Sequence, residues 1–276
     1  MSHVHLAHDG PVGIITLDRP RRFNSLDVST AQDLRRAGLQ MARDEQVRVV
    51  ILRGTGSAFC SGADLKYIAS GGEHEELAYL TAAREIPEGY GERFKQILEY
   101  LHSTISEIRR APKPFFAAVD GIAAAGGFGL AMSCDLVFAS PRATFEWAYG
   151  KTGLTGAESS TFLLPRLIGL RRAMELMLLN PRLGADEAMS LGLITRVIPQ
   201  EHFEADVLAL AHRVAEGPKQ AFGVAKALIN QAAGVDRIDF HLDQELQHLI
   251  RSANSAEFKE GLRAFFDKRA ARFSHA

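Results

Sequence analysis

Residues 113–140 read KPFFAAVDGIAAAGGFGLAMSCDLVFAS, and this stretch decides the fold. Pro114 to Val119 predicts a buried strand, and Asp120-Gly121 a tight turn. A run of small residues then ends at Gly126-Gly127, where a helix is expected to start and carry Leu130, Ala131 and Cys134 inward. Two adjacent glycines let backbone approach closely, because no Cβ stands in the way. The first N–H groups of a helix have no intrahelical acceptor and favour negative charge. Such a pair can form half of an oxyanion hole. A second strand–turn–helix stretch upstream, FCSGADLK over Phe59–Lys66, offers the Ala63 N–H as the other half.

Composition narrows the classes. The chain has 276 residues, is 46% hydrophobic, and sets 32 Lys+Arg against 33 Asp+Glu, so one large domain or a domain with an appendage is expected. No basic stripe with interleaved aromatics points to nucleic acid. The two cysteines, Cys60 and Cys134, sit in apolar runs and read as reduced core residues of a cytoplasmic protein. MSHVHLAHDG lacks a basic region followed by an apolar run, so no signal peptide is expected. Ile122 to Met132 is too short for the ~20 residues of a membrane span. His3, His5 and His8 alternate without a companion ligand, so no metal is expected. The glycine-rich loops match neither a P-loop nor a dinucleotide fingerprint, and no Gly-x-Ser-x-Gly elbow occurs.

Four motifs, FCSGADLK, PKPFFAAVDGIAAAGG (Pro112–Gly127), GLAMSCDLVFAS (Gly129–Ser140) and LPRLIG (Leu164–Gly169), resemble the crotonase superfamily, the enoyl-CoA hydratase/isomerase family. The resemblance runs from the opening strands to the closing FFDKRAARF. It implies an α/β fold with a crotonase-type ββα spiral core over residues 1–199 and a helical C-terminal oligomerisation segment over 200–276. It also implies an acyl-CoA thioester as substrate, with coenzyme A part of that substrate rather than a separate cofactor. Self-association as a homotrimer or dimer of trimers follows from the same likeness.

The resemblance distributes roles. Ala63 and Gly126 would supply the two N–H donors to the thioester oxygen. The loop Arg21-Arg22-Phe23-Asn24-Ser25-Leu26 would lie over the CoA phosphates, where a guanidinium can pair two oxygens at once; a solvated basic turn is the alternative. Asp64, Leu65 and Lys66 follow the donor loop, Asp64 reading as a helix cap. Phe265 and Lys268 would reach the CoA of an adjacent subunit. Tyr67 to Arg110, longer than the matching segment of a standard hydratase, would form an extended wall of the acyl pocket over 67–110.

The acid/base groups depart from the hydratase pattern. Hydratases that resemble this chain use two glutamates, and the first falls here at Gly129, the second at Tyr149. The glycine pair expected near Ser159-Ser160 is missing, and Gly156 stands where proline is common. Glu158 lies one residue beyond Ala157, the position at which related isomerases place their acid. It reads either as the acid/base of an isomerase or as a surface turn residue. Tyr149 reads as a donor to substrate or an aromatic pocket wall. His74, Glu75, Tyr90 and Glu92 are further candidates. Isomerisation of an enoyl-CoA or ring-derived CoA thioester is the leading expectation. Thioester-adjacent C–C cleavage or decarboxylation, and an inactive acyl-CoA-binding relative, are the rivals. Dehalogenation is disfavoured because no aspartate nucleophile stands in the 155–160 turn.

Overall fold

A computed structural model of the chain describes residues 2–71 and 89–275. The chain opens with a hairpin, β1 (Val4–Asp9) and β2 (Val12–Leu17), paired antiparallel from Val4↔Leu17 to Asp9↔Val12. The helix α1 (Val28–Arg43) follows, its first turn capped by the Asp27 carboxylate, which accepts the Thr30 N–H.

From there the chain repeats one unit three times: a strand in a six-stranded sheet, a sharp turn, a strand in a second sheet, then helix. The first pass is β3 (Val49–Gly54), β4 (Ala58–Cys60), α2 (Leu65–Ser70) and α3 (Tyr90–Arg110). The second is β5 (Phe115–Val119), β6 (Ile122–Ala124) and α4 (Gly126–Ser133). The third is β7 (Leu136–Ala139), β8 (Thr144–Glu146) and α5 (Ser160–Ile168). Strands β3, β5 and β7 are parallel neighbours, as are β4, β6 and β8. The expected ββα spiral is therefore present. The remaining elements are α6 (Leu170–Leu179), β9 (Leu183–Gly184), α7 (Ala185–Ser190), β10 (Arg196–Val197), α8 (Phe203–Ala215), α9 (Lys219–Ala232), α10 (Ile238–Ala253) and α11 (Ala256–Phe266).

A strand buried on both faces sends alternate side chains in opposite directions. On β5, Phe115, Ala117 and Val119 enter the main core, whereas Phe116 and Ala118 join a second cluster with Phe203, Val207 and Ala211 of α8. The helices after residue 200 thus cover their own chain. Gly223 of α9 lies against the Pro112 carbonyl, and Gly261 of α11 against the Thr152 backbone, with no room for a methyl group at either.

The switch between sheets after β5 needs Gly121, whose φ is +99° and which packs against the Ser57 carbonyl. One turn later Gly127 lies directly on the Cys60 carbonyl, and a methyl group there would also stand 2.8 Å from the Cys60 Cβ. Gly127→Ala is expected to lower stability by about 1–3 kcal/mol through overpacking against backbone. A lower urea midpoint with unchanged slope would bear this out, and an unshifted midpoint would contradict the close approach.

Candidate active site

Two backbone amides define the centre. Leu26 forms a parallel bridge to the donor loop, its N–H donating to the Gly62 carbonyl at 2.8 Å and its carbonyl accepting the Asp64 N–H at 2.8 Å. In such a bridge the residue between, Ala63, turns its own N–H to the opposite side. Gly126 is the first residue of α4, so its N–H has no intrahelical acceptor. Among the described residues neither amide has a hydrogen-bond acceptor. The two loops touch: a methyl group on Gly62 would stand 2.9 Å from the Gly126 nitrogen.

Glu158 occupies the space beside them. A methyl group on Gly126 would stand 2.9 Å from Glu158 Oε1, so the carboxyl lies over the start of α4. Glu158 is 3% exposed, which removes the surface-turn alternative. It reaches inward because Glu158 and Ser159 both adopt left-handed backbone, φ +53° and +59°. The Tyr149 hydroxyl donates to Glu158 Oε2, and Oε1 has no hydrogen-bond partner among the described residues. The Glu158 N–H donates to His102 Nε2 at 3.2 Å. Burial pushes the His102 imidazole down to about 3, so it is neutral, with its proton on Nδ1.

Gly129 now has a physical explanation. A side chain there would run into the Glu158 carbonyl and come within 2.7 Å of its Cβ. The position that resemblance reserved for a hydratase glutamate is filled from the other side by the Glu158 backbone. Gly156 likewise cannot be proline: its φ is +88°, and a Cβ would meet Trp147 at 2.6 Å. Trp147 and Tyr149 face each other with ring centroids 5.0 Å apart, while Glu146 points away to Lys151 and Arg182.

Burial raises the Glu158 carboxyl to about 8; the Tyr149 hydrogen bond opposes this, and the charge of Glu245 adds to it. Burial likewise raises Glu245 to about 7, against hydrogen bonds from Thr161 and Ser159. The Tyr149 phenol is pushed well above its ordinary value by burial and then by Glu158, so it remains a donor. Burial holds the Cys60 and Cys134 thiols up at about 12, which makes both inert core residues. Among the described residues no group of three or more His, Cys, Asp or Glu could hold a metal ion.

A cleft of about 360 Å³ is lined by Ala63 together with Arg21, Arg22, Asp64, Leu65, Lys66 and Phe265. Asp64 organises it. Its carboxylate caps α2 through the Lys66 and Tyr67 N–H groups and also accepts Arg22 and Arg19, the latter at 2.8 Å. Burial alone would raise that carboxyl, but Arg22, the Tyr67 N–H and Arg19 together hold it below its usual range. Arg22 is therefore committed to Asp64, whereas Arg21 makes no ion pair among the described residues. Phe265 lines this cleft within its own chain, carried on α11, whose Gly261 lies against the Thr152 backbone. Lys268 does not line the cleft and sits exposed beyond α11 with φ +53°. Of the wall candidates, Tyr90 packs edge-on against Phe258 at 5.4 Å, and Glu92 lies 3.9 Å from Lys95. His74 and Glu75 fall outside the described residues.

Comparison with known proteins agrees with this architecture. The enoyl-CoA hydratase/isomerase family profile matches residues 8–276. The chain belongs to the enoyl-CoA hydratase/isomerase family. It is 33% identical over 276 residues to a 1,2-epoxyphenylacetyl-CoA isomerase of Escherichia coli (strain K12), covering 99% of this chain and 97% of that one. It is 32% identical over 266 residues to 4-chlorobenzoyl coenzyme A dehalogenase-2 of an Arthrobacter species, covering 96% and 91%. An enoyl-CoA hydratase structure from Mycobacterium avium subsp. paratuberculosis K-10 superposes with a TM-score of 0.84 at 30% identity, covering 98% of each chain. The family therefore spans relatives named for different reactions, and membership alone does not choose among them. No described helix is long and apolar enough to cross a membrane.

Sequence reasoning missed three contributors. His102 was one of many polar residues in a long helical run, Arg19 only the end of a strand, and Glu245 one acid among several on α10. No local pattern marks them, since each acts across a large sequence separation.

The raised carboxyls predict a pH effect on stability. Glu158 and Glu245 move from an ordinary 4.5 to about 8 and about 7, so the folded chain keeps protons that the unfolded chain releases. Their contribution is fully present below 4.5, is lost as pH rises through the folded values, and levels off above about 8. Comparing urea midpoints at about pH 5.5 and about pH 9 should show a smaller loss for Glu158→Gln than for the wild type. An equal or larger loss in the variant would contradict the buried, proton-holding carboxyl.

Proposed function

We propose that this protein is an acyl-CoA enzyme that isomerises an enoyl-CoA or ring-derived CoA thioester, moving one proton through Glu158. The observation that carries this reading is the Glu158 carboxyl lying over Gly126, with Oε1 and the Gly126 and Ala63 amides without hydrogen-bond partners among the described residues. In the proposed reaction the ionised Glu158 takes a proton from the carbon next to the thioester carbonyl. The C–H electron pair moves into the conjugated system and the negative charge gathers on the thioester oxygen. The Ala63 and Gly126 N–H groups stabilise that oxygen, each donor of this kind being worth about 3–4 kcal/mol of barrier. The protonated carboxyl then returns the proton two carbons further along, and the double bond moves into conjugation. One carboxyl suffices, because the proton taken and the proton returned are handled by the same group.

Tyr149 holds the carboxylate by its hydroxyl and is read as a positioning donor rather than a proton carrier, since its phenol titrates well above the ordinary value. Two-glutamate hydration is not adopted, because Gly129 has no space for a side chain. A dehalogenase reading would need an aspartate nucleophile in the 155–160 turn, and there is none. Arg21 and Lys66 are the cations we assign to the CoA phosphates.

We also place a homotrimer or dimer of trimers in this reading. Leu170, Leu178 and Leu179 of α6, Val224, Leu228 and Ile229 of α9 and Phe240 of α10 are all exposed, which supports burial against further copies. Sedimentation at the mass of a single chain would contradict that assembly.

Isomerisation of trans-3-hexenoyl-CoA tests the chemistry. The wild-type kcat/KM is expected to rise with pH through about 8, as Glu158 ionises. Glu158→Gln should lower it about 10²- to 10⁴-fold. Tyr149→Phe removes the donor that favours the ionised carboxyl, so its rising limb should move to higher pH. Wild-type turnover in Glu158→Gln would overturn the assignment.

A further inference from the structure

The N-terminus of α5 is capped from elsewhere in the fold. Ser159 stands at the cap position, but its side chain makes no capping bond, and its buried hydroxyl has no hydrogen-bond partner among the described residues. The cap comes from α10. Glu245, 5% exposed, accepts the Ser159 N–H on Oε2 at 2.8 Å and the Thr161 N–H on Oε1 at 3.0 Å; the Thr161 hydroxyl also donates to Oε1. Since that hydroxyl proton points to Glu245, His241 Nε2, 2.8 Å from the same oxygen, is the donor there.

Two consecutive non-glycine residues with left-handed backbone persist only where the surroundings hold them. Glu158 and Ser159 are such a pair, and the carboxylate fastens the chain immediately after Glu158. We infer that Glu245 is a second positioning residue of the active site: from α10 it locks the left-handed 158–159 turn and aims the Glu158 carboxyl at Gly126. This rests on the reading of Glu158 as the proton-transfer group.

Among the described residues, the groups facing Glu158 are the Tyr149 hydroxyl, neutral His102 on α3, the Cys60 thiol on β4 and Glu245 on α10. His241 lies 3.8 Å from Glu245, and Arg166 lowers the basicity of His241 further after burial. Glu245 is thus the neighbouring negative charge that a single conservative change can neutralise.

The test separates charge from position. The Glu158 carboxyl band is titrated by infrared spectroscopy in the unliganded enzyme, identified by its loss in Glu158→Gln, and kcat and KM are measured with trans-3-hexenoyl-CoA. Glu245→Gln should move the Glu158 midpoint down by about one pH unit. It should lower kcat about 100-fold with little change in KM, because a carboxyl displaced by about 1 Å loses that much. Glu245→Asp, which keeps the charge on a shorter arm, should hold the midpoint near the wild type while still lowering kcat. An unmoved midpoint in Glu245→Gln, or an unchanged kcat in both variants, would overturn the inference. Should Glu245→Gln fail to fold, Thr161→Val removes one donor from Glu245, lets it hold its proton to higher pH, and should shift the Glu158 midpoint down by less; no shift there would overturn the inference as well. Failure of the proposed reaction is recognised separately: Glu158→Gln would then retain wild-type turnover whatever the Glu245 variants do.

Discussion

Where α4 begins, backbone rests directly on backbone. Gly127 lies on the Cys60 carbonyl, Gly62 faces the Gly126 nitrogen, and Gly129 backs onto the Glu158 carbonyl. Each contact excludes a side chain, so three separate loops converge on the Glu158 carboxyl and on the Ala63 and Gly126 amides, which have no acceptor among the described residues. The spiral exists to make that convergence possible. Its first two passes end a strand of the second sheet a few residues before a helix, and parallel neighbours bring the strand ends of all three passes to the same edge. Ligand sites of α/β folds sit at such strand ends for the same reason.

The convergence has an electrostatic consequence. Glu158 and Glu245 are buried, and desolvation disfavours the charge of each. The surrounding hydrogen bonds return only part of that loss, which leaves Glu158 near the pH at which a group can both take and return a proton. Cys60 and Cys134 experience the same burial, which outweighs the Gly62 N–H at Cys60 and the Arg109 and Lys226 charges near Cys134, and they remain protonated filler. Asp64 represents the opposite case. It is as deeply buried as Glu158, yet Arg22, Arg19 and two amide donors keep it ionised, and its work is to shape the cleft rather than to move protons. Burial is common to all five groups; their partners separate the roles.

Much of this was legible along the chain. The strand, turn and double glycine of 113–140 specify their own geometry, because φ +99° at Gly121 and the contact at Gly127 admit only glycine. The capping role of Asp64 follows from its place before a helix. Tertiary contacts were not legible. Glu158 looked one residue out of place because a sequence cannot announce that Glu158 and Ser159 both turn left-handed, and that turn depends on an acid over eighty residues away. His102 showed no signal because its partner is a backbone N–H from another pass of the spiral.

The central claim is that one carboxyl over the Gly126 amide shuttles a proton without adding water. Mass spectrometry of trans-3-hexenoyl-CoA and its trans-2 isomer, incubated with the enzyme in deuterated, ¹⁸O-enriched water, tests it most directly. Interconversion of the two esters, with deuterium entering carbon positions and no ¹⁸O gained, is the expected result. Gain of ¹⁸O by the trans-2 ester ahead of any isomerisation would contradict the claim, because it would mean that the site delivers water despite the space Gly129 lacks.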